Sequence, residues 1–282
     1  MKIYIIIPAH NEAKYIAKTL DSLLNQTIKA TNILVVDDSS TDKTPEILQS
    51  YSDTYETISY ITKPSAAGHE PGSKVVKAFD YGLKQLDDAY DIICKYDADL
   101  IFPSNYLESI VSTFQKSSKI GMVGGFCHIE QNKKWALENL TNKDHIRGAL
   151  KAYTKSCFSK IGGLKSAMGW DTIDEIIAKY HGFQIVTLEN LHVQHLKPTG
   201  NRYAKKAGLK QGEAFYRMRY GSVLTQIAAI KLAFKKQTVS YYFDCISGYR
   251  LAKKNKAPFL LSEEEGEFLR TLRKEGIRKK FL

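Results

Sequence analysis

Hydrophobic and polar positions follow two different periods over the first 125 residues. Short runs rich in β-branched residues predict strands, and apolar residues at helical spacing between them predict helices. Strand–helix alternation predicts an α/β fold with a mostly parallel central sheet, whose ligands bind at the carboxyl ends of the strands. The predicted strands are Ile3–Ile7, Ile33–Val36, Ile58–Ile61, Asp91–Tyr96 and Gly121–Phe126, and the predicted helices are Glu12–Leu24, Thr44–Tyr51, Val75–Leu86 and Asn105–Phe114.

The pattern changes after residue 125. Residues 126–200 are punctuated by glycines and predict a loop-rich half that covers the site. Arg147, Lys151 and Tyr153 lie there, and acceptor contacts and a solvated helix explain them equally well. From residue 201 helical patterns dominate, and Ser262 followed by three glutamates is a capping-box signal for a last helix. We therefore predict three parts: residues 1–125, 126–200 and 201–282.

The positive charge is confined to the last part of the chain. Lys and Arg number 41 and Asp and Glu number 30, for a net charge of +11. Residues 1–200 carry a net charge of −1, whereas residues 201–282 carry +12. The total suggests a nucleic acid or an anionic surface as partner. No apolar run reaches the roughly 18 residues that cross a bilayer, and the four widely spaced cysteines favour a reducing cytosol, so we expect a cytoplasmic protein.

Two acidic pairs directly follow predicted strands. Asp37 and Asp38 suit hydrogen bonds from a nucleobase or a ribose, and they suit turn and N-cap positions as well. Asp97 and Asp99 share one side of an extended strand end, because side chains alternate along a strand. Two such oxygen ligands suit Mg²⁺ or Mn²⁺ bridging a diphosphate; the alternative is a solvated loop.

Other candidates are single residues or pairs elsewhere in the chain. Asp171 and Asp174 precede an apolar helix, where acids complement the helix dipole, or where one of them acts as a general base. Lys74 follows a glycine-containing loop and suits either a phosphate contact or a solvated helix face. His195, and less so His192, suits either a metal shell begun by the carboxylates or a structural position.

Three motifs in this order resemble one known family. They are Ile5-Ile6-Ile7-Pro8-Ala9-His10-Asn11-Glu12, then Val35-Val36-Asp37-Asp38-Ser39-Ser40-Thr41-Asp42, then Asp97-Ala98-Asp99. Together they resemble the inverting family-2 glycosyltransferases, which have the GT-A fold, and the resemblance covers roughly residues 1–200. It implies a nucleotide-sugar-binding half over residues 1–125, an acceptor or catalytic half of the same domain over 126–200, and a helical basic extension over 201–282.

The resemblance implies a nucleotide-diphosphate sugar as donor, UDP- or GDP-linked, at the strand ends. Pro8, His10 and Glu12 would line the nucleoside pocket, and Asp38 or Asp37 would hold the base. The family usually has Gly-Lys ahead of Ala-Leu-Asn. Here Gly72-Ser73-Lys74 and Ala78-Phe79-Asp80 stand in their place, which leaves Lys74 as the candidate for a phosphate contact.

The resemblance also implies a divalent metal and a catalytic base. Asp97 and Asp99 correspond to the metal-binding motif for Mn²⁺ or Mg²⁺, with Asp99 the more direct ligand, and His195 matches a region where such enzymes often add a histidine. Trp170-Asp171 replaces the usual Glu-Asp before the helix of the base. Counting back from Gly182 favours Asp171 as the base, with Asp174 as the second choice.

The resemblance implies transfer of one sugar to a glycan or lipid-linked acceptor, because the Gln-x-x-Arg-Trp of processive synthases is absent. The biological setting that it implies is bacterial surface polysaccharide or glycolipid assembly. The basic extension then suits an anionic membrane surface on the inner face, and no nucleic acid is expected. One alternative is a nucleotidyltransferase or pyrophosphorylase, which would normally show a glycine- and Arg/Lys-rich loop after strand one. The other is a non-enzymatic nucleic-acid-binding protein, loosely suggested by the basic and aromatic residues 216–220.

Overall fold

The computed structural model describes residues 1–64, 73–138, 143–197 and 207–279. Its strands are β1 (Ile3–Ala9), β2 (Asn32–Asp37), β3 (Ile58–Thr62), β4 (Ile92–Tyr96), β5 (Leu100–Ile101), β6 (Ile120–Gln131), β7 (Lys134–Leu137), β8 (Leu150–Thr154) and β9 (Gln184–His195). Its helices are α1 (Ile16–Leu24), α2 (Thr44–Thr54), α3 (Ser73–Leu83), α4 (Tyr106–Gln115), α5 (Lys155–Lys160), α6 (Trp170–Tyr180), α7 (Ala207–Arg217), α8 (Gly221–Lys235), α9 (Ser240–Lys254) and α10 (Glu263–Arg278). The predicted α/β fold and its helical C-terminal segment are confirmed.

The strands form one sheet in the order β3-β2-β1-β4-β8-β6-β9-β5, with β7 paired to β6. The strands from β3 to β4 are parallel, with Ile7 opposite Val35 and Ile5 opposite Cys94. Strands β1, β2 and β4 are largely apolar and buried, because helices cover both faces of a parallel sheet. Their carboxyl ends therefore meet along one edge, where the candidate carboxylates follow β2 and β4.

The second half of the sheet is mixed. Strand β8 is antiparallel to both β4 and β6, and β9 is parallel to β6. Lys151 and Tyr153 lie in β8 and are fully buried, with Lys151 opposite Lys95 of β4. Of the two alternatives that the sequence left open, the solvated helix is therefore wrong for these two residues. The reason is that β8 is an interior strand, with a neighbour on each side.

The described residues fall into two compact units. The first contains residues up to 166 and residues 181–197, and so includes the whole sheet; the second contains residues 167–180 and 207–279, which form α6 to α10. The capping box that opens α10 is confirmed, since Ser262 Oγ accepts from the Glu265 amide at 3.2 Å and Glu265 Oε2 accepts from the Ser262 amide at 2.7 Å. In the described ranges, no helix is both long enough and apolar enough to cross a bilayer.

Helices α7 and α9 of the second unit pack in close contact through glycines. A Cβ atom placed on Gly212 of α7 would lie 1.8 Å from the Cys245 carbonyl oxygen of α9. A Cβ atom on Gly248 of α9 would lie 2.0 Å from the Leu209 carbonyl oxygen of α7. The nearest atom to each Cβ position is a backbone carbonyl oxygen of the other helix, which cannot move aside as a flexible side chain can. Neither glycine therefore tolerates a larger side chain unless the helices separate.

Replacing Gly212 with alanine is expected to lower the free energy of unfolding by about 3 kcal/mol or more, because overpacking against backbone forces the helices apart. Gly276 of α10 is the matched control, since nothing lies within 4 Å of a Cβ atom there. The gain in helix propensity at Gly276→Ala should stabilise the protein by up to about 1 kcal/mol. Urea unfolding followed by circular dichroism measures both changes, and equal stabilities of the two variants would contradict the close packing.

Candidate functional site

The loops that follow β1 and β2 are tied together by hydrogen bonds. The Asp38 amide donates to the Ala9 carbonyl at 2.8 Å, and the His10 ring donates through Nδ1 to the Asp38 carbonyl at 2.8 Å. Asn11 adopts a left-handed conformation with φ of 56°, and its Oδ1 accepts from the Thr41 amide at 2.7 Å. Asparagine tolerates this conformation better than most residues. The two loops therefore form one braced wall at the strand ends.

The structure brings Asp37, Asp38 and His10 together in this wall. Both carboxylate oxygens of Asp37 lie 3.3 Å from the Ser40 amide, a weak turn contact. Asp38 Oδ1 accepts from Lys63 Nζ at 2.8 Å. Both carboxylates are buried. Asp37 makes the turn contact that the sequence offered as the alternative, whereas Asp38 pairs with Lys63, a residue distant in the chain. Their contact with a base stays a prediction.

Asp99 and His195 are neighbours because β5 pairs with the end of β9. Leu100 lies opposite His195 in this ladder, and the Leu196 amide donates to the Asp99 carbonyl at 2.9 Å. His195 Nε2 lies 3.5 Å from Asp99 Oδ2. One carboxylate and one imidazole nitrogen of the predicted metal shell therefore face each other at the carboxyl end of the sheet.

Asp97 occupies the same edge but points toward a buried lysine. Its Oδ1 forms an ion pair with Lys95 Nζ, and 37% of its side chain remains exposed. Burial favours the neutral acid, but Lys95 outweighs it, with help from His195 and Arg147, so the pKa of Asp97 lies below its ordinary value. An ionised carboxylate at this edge is the form that a cation binds.

A buried carboxylate fixes the ring of His195. Glu138 Oε2 lies 2.7 Å from His195 Nδ1 and also forms an ion pair with Arg147. Burial lowers the pKa of His195, but hydrogen bonds to Asp99 and Glu138 outweigh it and raise the pKa to about 9. With this raised pKa the His195 ring carries a proton on each nitrogen. A metal binds only an imidazole nitrogen without a proton, so a cation bound at Nε2 would displace the Nε2 proton.

Glu138 reaches the site through a hairpin that the sequence interpretation missed. Strands β6 and β7 are joined by Asn132 and Lys133, both in the left-handed region with φ of 51° and 61°. Two such residues form the turn that joins tightly paired antiparallel strands. Glu138 follows β7 directly, and its amide donates to the Cys127 carbonyl at 2.9 Å. An asparagine between two β-prone runs is the signal that could have predicted this hairpin.

Among the described residues, Cys127, Glu138 and His195 form the group of metal-ligating types whose atoms lie within 4.8 Å of one another. Burial raises the pKa of the Cys127 thiol to about 12, so the thiol stays protonated. Glu138 is already engaged by Arg147 and His195. This group therefore orients His195 through contacts on the Nδ1 side of its ring. On the Nε2 side, Asp99 and His195 supply the carboxylate and nitrogen donors that suit Mg²⁺ or Mn²⁺.

Glu12 lies near the same carboxylates. Its Oε1 accepts from Lys197 Nζ at 2.7 Å, while its buried Oε2 has no hydrogen-bond partner in the part of the chain that the structure describes. Burial raises the pKa of Glu12, Lys197 opposes this, and the charges of Asp99 and Asp97 add to it. Oε2 is thus an acceptor available to a donor group of a ligand, as the predicted pocket role requires.

The remaining candidates lie on two helices. Lys74 is half-buried in the first turn of α3, directly after residues 65–72, which lie outside the described residues. Asp171 is half-buried in the first turn of α6, in the second unit. Asp174 is buried in the same helix, and its Oδ1 accepts from the Glu175 amide at 2.6 Å. The phosphate and base roles of these residues stay predictions.

Comparison with known proteins identifies relatives of this chain. The family described as Glycosyl transferase family 2 matches residues 4–164. A curated relative, "Probable glycosyltransferase YdaM" of Bacillus subtilis (strain 168), is 31% identical over 148 residues, which is 51% of this chain and 34% of the relative. The chain therefore aligns with about a third of that relative's length.

Two solved structures share the fold. S. aureus TarS 1–349 in complex with UDP-GlcNAc has a TM-score of 0.60 at 18% identity, covering 83% of this chain and 67% of TarS. The mannosyltransferase PcManGT from Pyrobaculum calidifontis, in complex with GDP-Man and Mn²⁺, has a TM-score of 0.60 at 16% identity, covering 98% and 80%. These likenesses confirm the predicted GT-A fold.

Proposed function

Since the chain belongs to glycosyl transferase family 2, we propose that it moves one sugar from a nucleotide-diphosphate donor to a hydroxyl group of a glycan or lipid-linked acceptor, with inversion at the anomeric carbon. The observation that carries the proposal is the meeting of Asp99 and His195 at the carboxyl edge of the sheet, with the Asp97 carboxylate within electrostatic reach of His195. Among the structural relatives, TarS is complexed with UDP-GlcNAc and PcManGT with GDP-Man, which supports a UDP- or GDP-linked donor.

Asp99, Asp97 and His195 would hold a divalent cation, Mn²⁺ or Mg²⁺. PcManGT, with the same fold, is complexed with Mn²⁺. The bound cation would neutralise the negative charge of the diphosphate as it leaves. Glu138 is a positioning residue in this proposal, because its contact with Nδ1 directs Nε2 of His195 toward Asp99.

The braced wall at the ends of β1 and β2 would bind the nucleoside. Pro8, His10 and Glu12 line it on one side. Oε2 of Glu12, which has no hydrogen-bond partner among the described residues, supplies an acceptor for a hydroxyl or amide donor. Asp37 or Asp38 accepts from the base. Lys74, at the start of α3, contacts the diphosphate as a compact positive charge.

Asp171 is the proposed general base. Its carboxylate takes the proton of the acceptor hydroxyl as that oxygen attacks the anomeric carbon. The bond from the sugar to the diphosphate breaks at the same time, and its electron pair leaves with the diphosphate. Asp171 is preferred to Asp174 because it is half-buried and accessible, whereas the Asp174 carboxylate is buried and accepts from the backbone.

The acceptor and the place of action form the last part of the proposal. We infer assembly of a bacterial surface polysaccharide or glycolipid, at the inner face of the membrane. The net charge of +12 over residues 201–282 suits an anionic surface, and each nearby Lys or Arg contributes about 1 kcal/mol of attraction there.

A ligand screen tests the proposed function. Thermal unfolding is measured with UDP-, GDP- and dTDP-sugars, with nucleoside triphosphates and with single-stranded oligonucleotides, each with and without Mn²⁺. We expect stabilisation by one nucleotide-sugar class that requires Mn²⁺. Stabilisation by nucleoside triphosphates in place of nucleotide sugars would favour a nucleotidyltransferase, and stabilisation by oligonucleotides alone would favour nucleic-acid binding.

Replacing Glu138 with glutamine is expected to weaken Mn²⁺ binding roughly 10- to 100-fold, as loss of a partner that orients a metal ligand does. Calorimetry or electron paramagnetic resonance with Mn²⁺ alone measures this without turnover. The variant should also be less stable, because Arg147 loses a buried charge partner. Glu130→Gln, an exposed change in the same hairpin, is the matched control. Unchanged Mn²⁺ affinity in a folded Glu138→Gln protein would remove the positioning role.

A further inference from the structure

Helix α8 presents a row of apolar side chains to solvent. Val223, Ile227, Ile230 and Phe234 are 66%, 43%, 60% and 87% exposed. Their spacing of four, three and four residues places them within an arc of about 60° on one helix face. These four residues are called the α8 stripe. The opposite face of α8 is also apolar, and its Leu224, Thr225 and Ala229 are buried.

Helix α8 therefore packs against its own unit through the opposite face, and the α8 stripe takes no part in that packing. Val239, which follows α8 in the chain, and Phe243 of α9 are also exposed, at 74% and 62%. A row of exposed apolar side chains on one helix face marks an interaction surface, unlike single exposed apolar residues, which are ordinary.

The charged residues of helix α8 itself all have one sign. Residues 221–243 contain three lysines and no acidic residue. The three are Lys231, Lys235 and Lys236, and all are exposed. Lys231 and Lys235 follow Ile230 and Phe234 directly, so they flank the stripe on one side at 100° per residue. An apolar face edged with lysines is the pattern of a helix that lies in the interface of an anionic bilayer.

A second copy of this chain is a weaker occupant. A two-fold interface places the same surface on both sides, so it would bring the α8 lysines of both copies into one interface, and residues 221–243 hold no carboxylate to balance their charge. Anionic headgroups supply the missing negative charge, and the acyl region accommodates the apolar row.

We propose that the α8 stripe, with Lys231 and Lys235, is the surface that docks this protein on an anionic lipid bilayer. This inference deepens the proposed function, because it assigns the proposed membrane attachment to one helix face. Helix α8 would lie parallel to the membrane plane, with Ile230 and Phe234 inserted at the boundary of headgroups and acyl chains.

Flotation with phosphatidylcholine vesicles that contain phosphatidylglycerol tests the proposal. The whole chain should bind them, and binding should weaken with NaCl, since salt screens the lysines. Ile230→Ser with Phe234→Ser should lower the vesicle partition coefficient roughly tenfold or more, because the apolar area available for insertion is lost. Tyr55→Ser is the matched control, because Tyr55 is an exposed aromatic residue of the first unit.

Fluorescence provides a measurement that does not depend on loss of binding. Phe234→Trp should be quenched by vesicles with brominated acyl chains, and Tyr55→Trp should not be, relative to the two native tryptophans. Vesicle binding that is absent, or unchanged in the Ile230→Ser and Phe234→Ser protein, would overturn the proposal. A dimer in sedimentation velocity that the same change dissociates, without vesicle binding, would assign the stripe to a second copy and would also overturn it.

The outcome is separable from that of the proposed function. Nucleotide-sugar binding is measured on the same variants by calorimetry, and it should not change, because the stripe is outside the proposed donor site. Vesicle binding without nucleotide-sugar binding would sustain the docking surface and reject the glycosyltransferase proposal. Nucleotide-sugar binding without vesicle binding would support the glycosyltransferase proposal and reject the docking surface.

Discussion

Replacing Asp171 with asparagine is expected to abolish sugar transfer while leaving the affinity for the nucleotide-sugar donor nearly unchanged. Asparagine has almost the shape of aspartate but cannot accept the proton of the acceptor hydroxyl, and a general base contributes roughly 10²- to 10⁴-fold to the rate. The loss should therefore appear in kcat. Steady-state kinetics with the donor found in the ligand screen gives the rate, and calorimetry gives the donor affinity.

Asp174→Asn is the matched control on the same helix. Asp174 is buried, and asparagine would keep the oxygen that accepts from the Glu175 amide but place a new NH₂ group in the interior, so this change is expected to act on stability, by about 1–3 kcal/mol, more than on the rate of the folded protein. Near-normal turnover of Asp171→Asn would remove Asp171 as the base. If Asp174→Asn were inactive, stable and able to bind donor, the base would be reassigned to Asp174.

Asp99→Ala is expected to remove the part of donor binding that depends on Mn²⁺. Asp99 faces His195 Nε2, whereas Asp97 is paired with Lys95, so Asp99 is the more direct ligand in the proposed site. Loss of a carboxylate ligand removes both a coordinating oxygen and a negative charge. Calorimetry with and without Mn²⁺ should show that the metal enhances donor affinity in the native protein and has little effect in the variant.

Asp53→Ala provides the control for loss of one negative charge. Asp53 lies on α2, where it is exposed and accepts from Gln49 at 2.7 Å. This variant should keep the full response to Mn²⁺. If the donor affinity of Asp99→Ala still rises with Mn²⁺ as in the native protein, the metal does not bind at the edge where β5 pairs with β9, and the proposed metal site is wrong.

The parallel half of the fold could be predicted because its local patterns agree with its tertiary position. Strands β1, β2 and β4 are buried on both faces, so they appear in the sequence as largely apolar runs. Strand β8 could not be predicted in the same way. It contains Lys151, whose burial opposite Lys95 follows from pairing with β4 and not from the residues beside it.

Some residues of the candidate site could likewise be predicted from the sequence, and others could not. Asp97 and Asp99 could be found because they follow a strand directly, and carboxyl ends of parallel strands share an edge. Glu138 could not, because it lies 57 residues from His195 in the chain and reaches it through the turn at Asn132 and Lys133. A carboxylate after a short exposed strand carries no local sign of its partner.

The sequence by itself determined the alternating elements, the strand-end carboxylates, the family resemblance and the basic last part, since each is a property of neighbouring residues. Tertiary structure decided that Glu138 and Arg147 support His195, and that one apolar face of α8 is buried while the other faces solvent. Helix α8 is apolar on both faces, so its periodicity cannot distinguish them. Burial depends on which elements pack against each other, and that is fixed only when residues distant in the chain meet.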